Sequence, residues 1–193
     1  QEEFENNFLK QGIAMPITFD TIKQRTSCRT FSGKKVENEK RERILSFAEK
    51  NNKGPFGNSV SFHLFDAGEA EQAEIKTFST YGVIKHARLY LAGSLKKGHG
   101  VMEDFGFVME KVILHATSLG LGTCWLGGIL KRGKIAAQFG LQEDEVVPAM
   151  TPLGYAARKR SLTARLMRFG AGSAKRKEWN ELFYKGDFST PLP

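Results

Sequence analysis

Apolar residues recur along the chain with two different periods, and the switches between them mark out its elements. Residues 103–119 carry the strongest signal. Phe105, Val108, Met109, Val112, Ile113, Ala116 and Leu119 fall at the three- and four-residue spacing of a helix buried over a wide face, and Gly120 is its natural stop. Residues 38–50 predict an amphipathic helix, with Ile44, Leu45 and Ala48 on one face, Phe47 at its border and glutamates and lysines opposite. Phe19-Asp20-Thr21-Ile22 begins a short helix that Asp20 can cap. Alternation over Ser59 to Phe65 and over Ala87 to Ala92 predicts two strands, the second ending at Gly93, and a third strand lies around Val146 to Tyr155. Asn51 to Asn58 is a loop by its turn residues. Residues 68–79 read as a solvated helix, Tyr81 to Ile84 as a turn, residues near 131–139 as a further helix, and Glu143-Asp144-Glu145 as an acidic turn. Helices and strands interleaved without an internal repeat predict an α+β or α/β sandwich.

A length of 193 residues with 40% hydrophobic positions suits one globular domain with a real core, and excludes disordered, collagen-like and disulfide-rich classes. Residues 1–14 read as a leader with no catalytic role, and 15–193 as a single domain ending in an arm from about 156. Charge is concentrated at that end. Residues 156–193 hold nine basic and three acidic side chains, six of the net eight positive charges. Such a tail suits nucleic acid, a phosphorylated ligand or an acidic partner surface. The uncharged run from Val112 to Leu130 has the length of a membrane span, but four glycines with His115, Thr117, Ser118 and Thr123 make it too polar and broken, so no membrane association is expected. Cys28 and Cys124 have no zinc-ligand spacing, and the default compartment is a reduced cytoplasm.

The obvious chemical motifs fail on inspection. Gly120-Leu121-Gly122 resembles the start of a dinucleotide fingerprint, but it trails a helix and its third glycine position holds Trp125. Gly128 to Lys134 has the glycine-lysine skeleton of a phosphate loop, with Ile135 where a hydroxyl must hold magnesium. The four histidines are scattered, so no metal site is expected, and His115 reads as a hydrogen-bonded core residue. No nucleophile elbow is present. What remains is the alternation Arg25, Ser27, Arg29. In an extended segment these side chains point one way, about 7 Å apart, and suit either a phosphate grip or a solvated basic face.

A set of blocks in fixed order extends this reading. Arg25-Thr26-Ser27-Cys28-Arg29-Thr30-Phe31 with Val36, the Pro55-to-Asn58 loop, Glu103-Asp104-Phe105-Gly106, the run Ala116 to Gly127, and Pro148 with Leu153-Gly154-Tyr155 together resemble the nitroreductase family of flavin enzymes. Tyr81-Gly82-Val83-Ile84-Lys85 and the short chain resemble its compact branch. The resemblance implies an α+β fold, a nitroreductase-like FMN-binding sandwich with a central, mostly antiparallel sheet flanked by helices. It also implies a homodimer with FMN at the subunit interface. By the same resemblance Arg25, Thr26, Ser27 and Arg29 would hold the flavin phosphate and ribityl chain, with Arg158 and Arg160 as a second phosphate clamp around Lys159. Pro55, Phe56, Gly57 and Asn58 would reach the ring from the partner subunit. Cys124, Trp125, Leu126, Gly127 and Gly128 would lie along the isoalloxazine with a main-chain N–H facing N5, the glycines Gly122, Gly127 and Gly128 giving the backbone room against the ring.

The implied activity is an FMN-dependent oxidoreductase in which NAD(P)H and then a nitroaromatic, quinone or similar acceptor use one open flavin face in turn. No side chain need act as acid or base, so no catalytic residue is assigned. Only about two dozen residues separate the first two strands, which implies an open face. Cys124 reads as a packing residue rather than a redox thiol. Two alternatives stand beside this reading: a flavin enzyme with a dedicated acceptor, such as a dehalogenase-like or metabolite reductase, and a flavin-free basic binding protein on the same fold.

Overall fold

The computed structural model describes residues 17–67, 84–127, 139–159 and 177–192, together with positions 137, 161, 169 and 170. The expected leader, the helix at 68–79 and nearly all of the helix near 131–139 lie outside the described residues, as do Gly128 and Arg160. The chain divides into two compact units, Gln1–Lys159 and Arg160–Pro193.

The larger unit is built on a four-stranded sheet. Its elements are α1 (Phe19–Gln24), α2 (Asn38–Lys50), β1 (Ser61–Asp66), β2 (Leu89–Lys96), α3 (Val101–Ser118), β3 (Glu145–Val146) and β4 (Met150–Leu153). Every pairing is antiparallel. β2 is central, with Ser61 opposite Ser94 and Asp66 opposite Leu89 on the β1 side. On its other side Leu89 faces Leu153 and Ala92 faces Met150 of β4, and Leu95 faces Val146 of β3. The expected continuous strand around Val146 to Tyr155 is thus two short strands, separated by Val147-Pro148-Ala149, where proline cannot donate to the ladder.

Alternation along β2 separates the two faces of the sheet. Leu89 and Leu91 pack with Ile44 and Ala48 of α2 and with Val112 and Ala116 of α3. Tyr90 and Ala92 pack with Phe31, Cys124, Leu126 and Met150. β2 also runs through Gly93 to Lys96 instead of stopping at the glycine. The reason is the closeness of α3: a Cβ at Gly93 would lie 2.8 Å from the Phe105 ring and 2.9 Å from Val60.

Local signals set the helix ends. Thr18 caps α1, accepting from the Thr21 N–H at 3.2 Å. Asp20, the expected cap, sits within the first turn, where its charge suits the helix dipole. α3 ends before Gly120, whose φ of +75° is the left-handed turn a glycine supplies. The Lys40 ammonium donates to the Leu119 carbonyl at 2.7 Å, a cation at the C-terminal end of the dipole.

His115 is buried on α3, where its ring stacks on Phe47. Its ring lies 4.1 Å from that of Phe47 with a 10° tilt, and neither ring nitrogen has a hydrogen-bond partner within normal geometry. A cleft of about 240 Å³ beside it is lined by Glu42, Arg43 and Lys50. Burial pushes its pKa down to about 4, the Arg43 charge adding to the shift and the Arg43 main chain opposing it. An unfolded histidine titrates near 6.5. As pH falls from there toward 4, the unfolded chain takes up a proton that the folded one refuses, so stability present above that window is lost within it. His115→Phe keeps the stack and removes the titration. Thermal melts should show a shallower acid slope for the variant, with of order 1 kcal/mol of the loss at pH 5 removed, allowing for screening through the cleft.

The smaller unit has its own aromatic packing. Trp179 and Phe183 stack at 4.0 Å around the 3₁₀ turn Trp179–Glu181, and Tyr184 meets Phe188 edge-on at 5.5 Å.

Candidate functional site

The segment 25–31 runs extended along the far edge of the sheet. Beyond β4, residues 122–126 continue the pairing through Gly122 with Gly154 and Leu126 with Met150, and Ser27 then bridges Thr123 in parallel. The Cys28 N–H donates to the Thr123 carbonyl at 2.7 Å, and the Lys85 N–H to the Arg29 carbonyl at 2.9 Å. Phe31, 2% exposed, anchors the segment in the core. On its other side Ser32 donates to the Tyr155 carbonyl and Ala157 to the Thr30 carbonyl, which pairs Phe31 with Ala156. Arg158 follows directly on Ala157, so its main chain comes close to the Arg29–Thr30 segment although the two are far apart in sequence.

The side chains of 25, 27 and 29 all lie near Cys124. Burial pushes its thiol pKa up, while Arg29, a hydrogen bond from Ser27 and Arg25 pull the other way. The net upward shift leaves a neutral packing thiol. Cys28 points to the opposite side, and this accounts for Gly122. A Cβ there would lie 2.8 Å from Cys28 Cβ and 2.9 Å from its Sγ, so the glycine makes room for Cys28 rather than for a ring. At Gly127 a Cβ would come within 3.4 Å of the Pro148 carbonyl oxygen, so local backbone packing already constrains that position.

The loop 122–127 offers one exposed aromatic surface. Trp125 is 36% exposed, meets Phe105 edge-on at 6.1 Å, and donates its indole N–H to Glu110 Oε2 at 2.7 Å. Arg25 Nε lies 3.3 Å from the other oxygen of the same carboxylate. Leu126 is buried, and its N–H donates to the Met150 carbonyl, while that of Cys124 donates to Thr151 Oγ1. An amide aimed at a ring would therefore come from another residue of the loop, Trp125 first. The Thr123 hydroxyl is buried beside Ser27 with no hydrogen-bond partner. Thr26 is exposed.

Pro55, Phe56, Gly57 and Asn58 are held elsewhere, at the N-terminus of α3. Asp104 accepts from the Phe56 N–H, the Asn58 N–H and Asn58 Nδ2, each at 2.8 Å. Burial pushes the Asp104 carboxyl up, but these hydrogen bonds outweigh it and hold the pKa below the ordinary carboxylate value. Gly54 is required here, because a Cβ would fall 2.2 Å from Asp104 Oδ1, and a Cβ at Gly100 would strike Phe56 at 2.6 Å. Phe56 itself is exposed. Sequence patterning placed Asp104 only in a family block and missed Glu110 altogether; Asp104 reaches Phe56 and Asn58 across more than forty residues of chain, and Glu110 joins Trp125, fifteen residues on, to the distant Arg25.

The donor set fits FMN by its chemistry: two arginines and a hydroxyl near one another on an extended segment, and an exposed indole joined to them through Glu110. Among the described residues there is no cluster of metal-ligating side chains, and no helix is long and apolar enough to cross a membrane.

Comparison with known proteins agrees with this architecture. A family model described as "Putative TM nitroreductase" matches residues 18–191. A nitroreductase family protein from Clostridium difficile 630 superposes with a TM-score of 0.66 at 19% identity, covering 90% of this chain and 99% of that one. An FMN-dependent nitroreductase from Clostridium difficile R20291 gives 0.62 at 20% identity, over 75% and 90% of the two chains. A Desulfovibrio desulfuricans protein described as a "putative nitroreductase in complex with fmn" gives 0.58 at 22%, over 79% and 95%. At these identities the likeness establishes the fold, an α+β arrangement with a mostly antiparallel sheet and flanking helices. No curated protein matches the chain.

Proposed function

Because the chain belongs to the nitroreductase family of oxidoreductases, we propose that it is an FMN-dependent enzyme that uses NAD(P)H to reduce nitroaromatics, quinones or similar small acceptors. Bound in the cleft, FMN would supply the two-electron chemistry, accepting a hydride at N5 and passing it on in alternating half-reactions. The observation that carries the reading is the nearness of Arg25, Ser27 and Arg29 to one buried cysteine, with Arg25 joined through Glu110 to the exposed Trp125 indole.

Each residue then has a distinct task. Arg29 and Arg158 bind the phosphate as a pair of guanidinium forks, and Ser27 adds a hydroxyl. Thr26, exposed on the same segment, would be free to meet the ribityl chain. Trp125 would cover part of the ring with Gly127 beside it, while Cys124 and Leu126 would contribute main chain only. No side chain transfers a proton, since solvent can protonate the acceptor.

A homodimer completes the cleft. α1 lies against α3, and Phe19, Ile22, Met102 and Phe107 on these helices are large apolar side chains at least half exposed. Such a patch suits a second copy of the chain. The Asp104-held loop with exposed Phe56 lies on α3 too, so pairing through this surface would carry Pro55 to Asn58 toward the neighbouring copy's ring. The residues that would decide the acceptor are those over the open ring face, which leaves NADH or NADPH and the choice of acceptor to assay.

Protein mixed with excess FMN and desalted should stay yellow, and anaerobic NADH or NADPH should bleach the flavin band, which added quinone or nitroaromatic then restores. Colourless protein after the same treatment would contradict the reading and favour a flavin-free basic binding protein.

A further inference from the structure

We propose that Glu110 is the positioning residue of this cleft: it locks the Arg25 guanidinium and the Trp125 indole into one arrangement, and its charge tunes how readily a bound flavin is reduced. The inference rests on the FMN reading and adds to it a residue that neither the sequence motifs nor the phosphate chemistry call for.

The geometry is specific. One carboxylate serves two groups, with Oε1 3.3 Å from Arg25 Nε and Oε2 accepting the Trp125 indole N–H at 2.7 Å. Its support is rigid. Glu110 sits mid-way along α3, whose inward side chains Val108, Met109, Val112 and Ile113 are fully buried. A group delivered from a packed helix holds its position better than one on a loop. The indole is also fixed from a second direction, by the edge of Phe105. As a lone ion pair, partly exposed on both sides, Arg25 with Glu110 would contribute little to stability. Its consequence lies in what it connects, since Arg25 is one of the three residues around Cys124 and Trp125 is the exposed surface for a ring.

Two physical effects follow. Arg25 is drawn toward the Trp125 end and locally neutralised, so the positive charge acting on a phosphate falls on Arg29 and Arg158. A fixed carboxylate near the ring also opposes the negative charge that a flavin gains on reduction. Gln at position 110 retains an oxygen for the indole N–H and loses the charge, whereas Ala loses both.

The test compares wild type, Glu110→Gln and Glu110→Ala, each as the full chain, for FMN affinity and for the reduction potential of the bound flavin. Trp125 emission is read without FMN in a Trp179→Phe background. Glu110→Gln should bind FMN nearly as well as wild type with its potential moved in the positive direction and its emission unchanged. Glu110→Ala should shift the emission and weaken FMN by about tenfold, as for loss of one charged hydrogen bond. Wild-type affinity and emission in Glu110→Ala, with a wild-type potential in Glu110→Gln, would overturn the role of Glu110 and leave the FMN reading intact. Should Glu110→Ala fail to fold, an unchanged potential in Glu110→Gln suffices to overturn it. A wild type that takes up no FMN removes the cofactor reading itself and this inference with it.

Discussion

Arg29→Ala is expected to raise the dissociation constant for FMN by about ten- to a hundredfold, the effect of removing a charge-assisted hydrogen bond to a phosphate. The main chain at Arg29 is held independently of its side chain, by the Lys85 N–H on its carbonyl and by the pairing of Phe31 with Ala156. Truncation should therefore leave the strand in place. The loss should also be specific to the phosphate: riboflavin, which has the same ring and no anionic end, should bind wild type and variant alike. Equilibrium titration followed by flavin fluorescence reads both ligands. Unchanged FMN affinity would remove Arg29 from the grip and leave Arg158 and its neighbours to supply it.

Gly93→Val is expected to destabilise the fold by about 3 kcal/mol or more, at the upper end for overpacking a core. The added Cβ would stand 2.8 Å from the Phe105 ring and 2.9 Å from Val60, and both neighbours are at most 2% exposed, with nowhere to retreat. The sheet lies under α3 at this point, so the strain is relieved only by moving the helix that carries both Asp104 and Glu110. Denaturant unfolding measures the loss. Pairing Gly93→Val with Phe105→Leu should recover part of it, because residues in direct contact are coupled rather than additive. Full additivity of the two changes would show that the contact is not the source of the strain.

The contrast between what could and could not be read from the sequence has a consistent physical origin. α2 and the core face of α3 were legible because their apolar residues repeat with the helical period, and the Asn38–Lys50 helix has the expected bounds. The extended course of the segment that carries Arg25, Ser27 and Arg29 was legible from their alternation, and it pairs with Thr123, Lys85 and Ala156. The errors arise where a long-range neighbour decides the outcome. Gly93 reads locally as a strand end, and it is a mid-strand residue because α3 comes so close. Gly122 has a packing reason that its local sequence hides, since Cys28 stands where its Cβ would be. The stack of His115 on Phe47 has no signal in the sequence either. Asp104 and Glu110 look like ordinary acidic positions on a helix, and no periodicity reveals that one pins residues 56–58 and the other joins Arg25 to Trp125. The family blocks supplied the residues proposed to hold the cofactor, and the fold adds Asp104 and Glu110, which stand behind them.

The most direct measurement is a calorimetric titration of the full chain with FMN and, separately, with riboflavin. Recognition through the arginine-lined end of the cleft should give one FMN per chain, with riboflavin bound at least about tenfold more weakly. Equal affinity for the two, or heat from neither, would contradict a cleft that holds its cofactor by the phosphate.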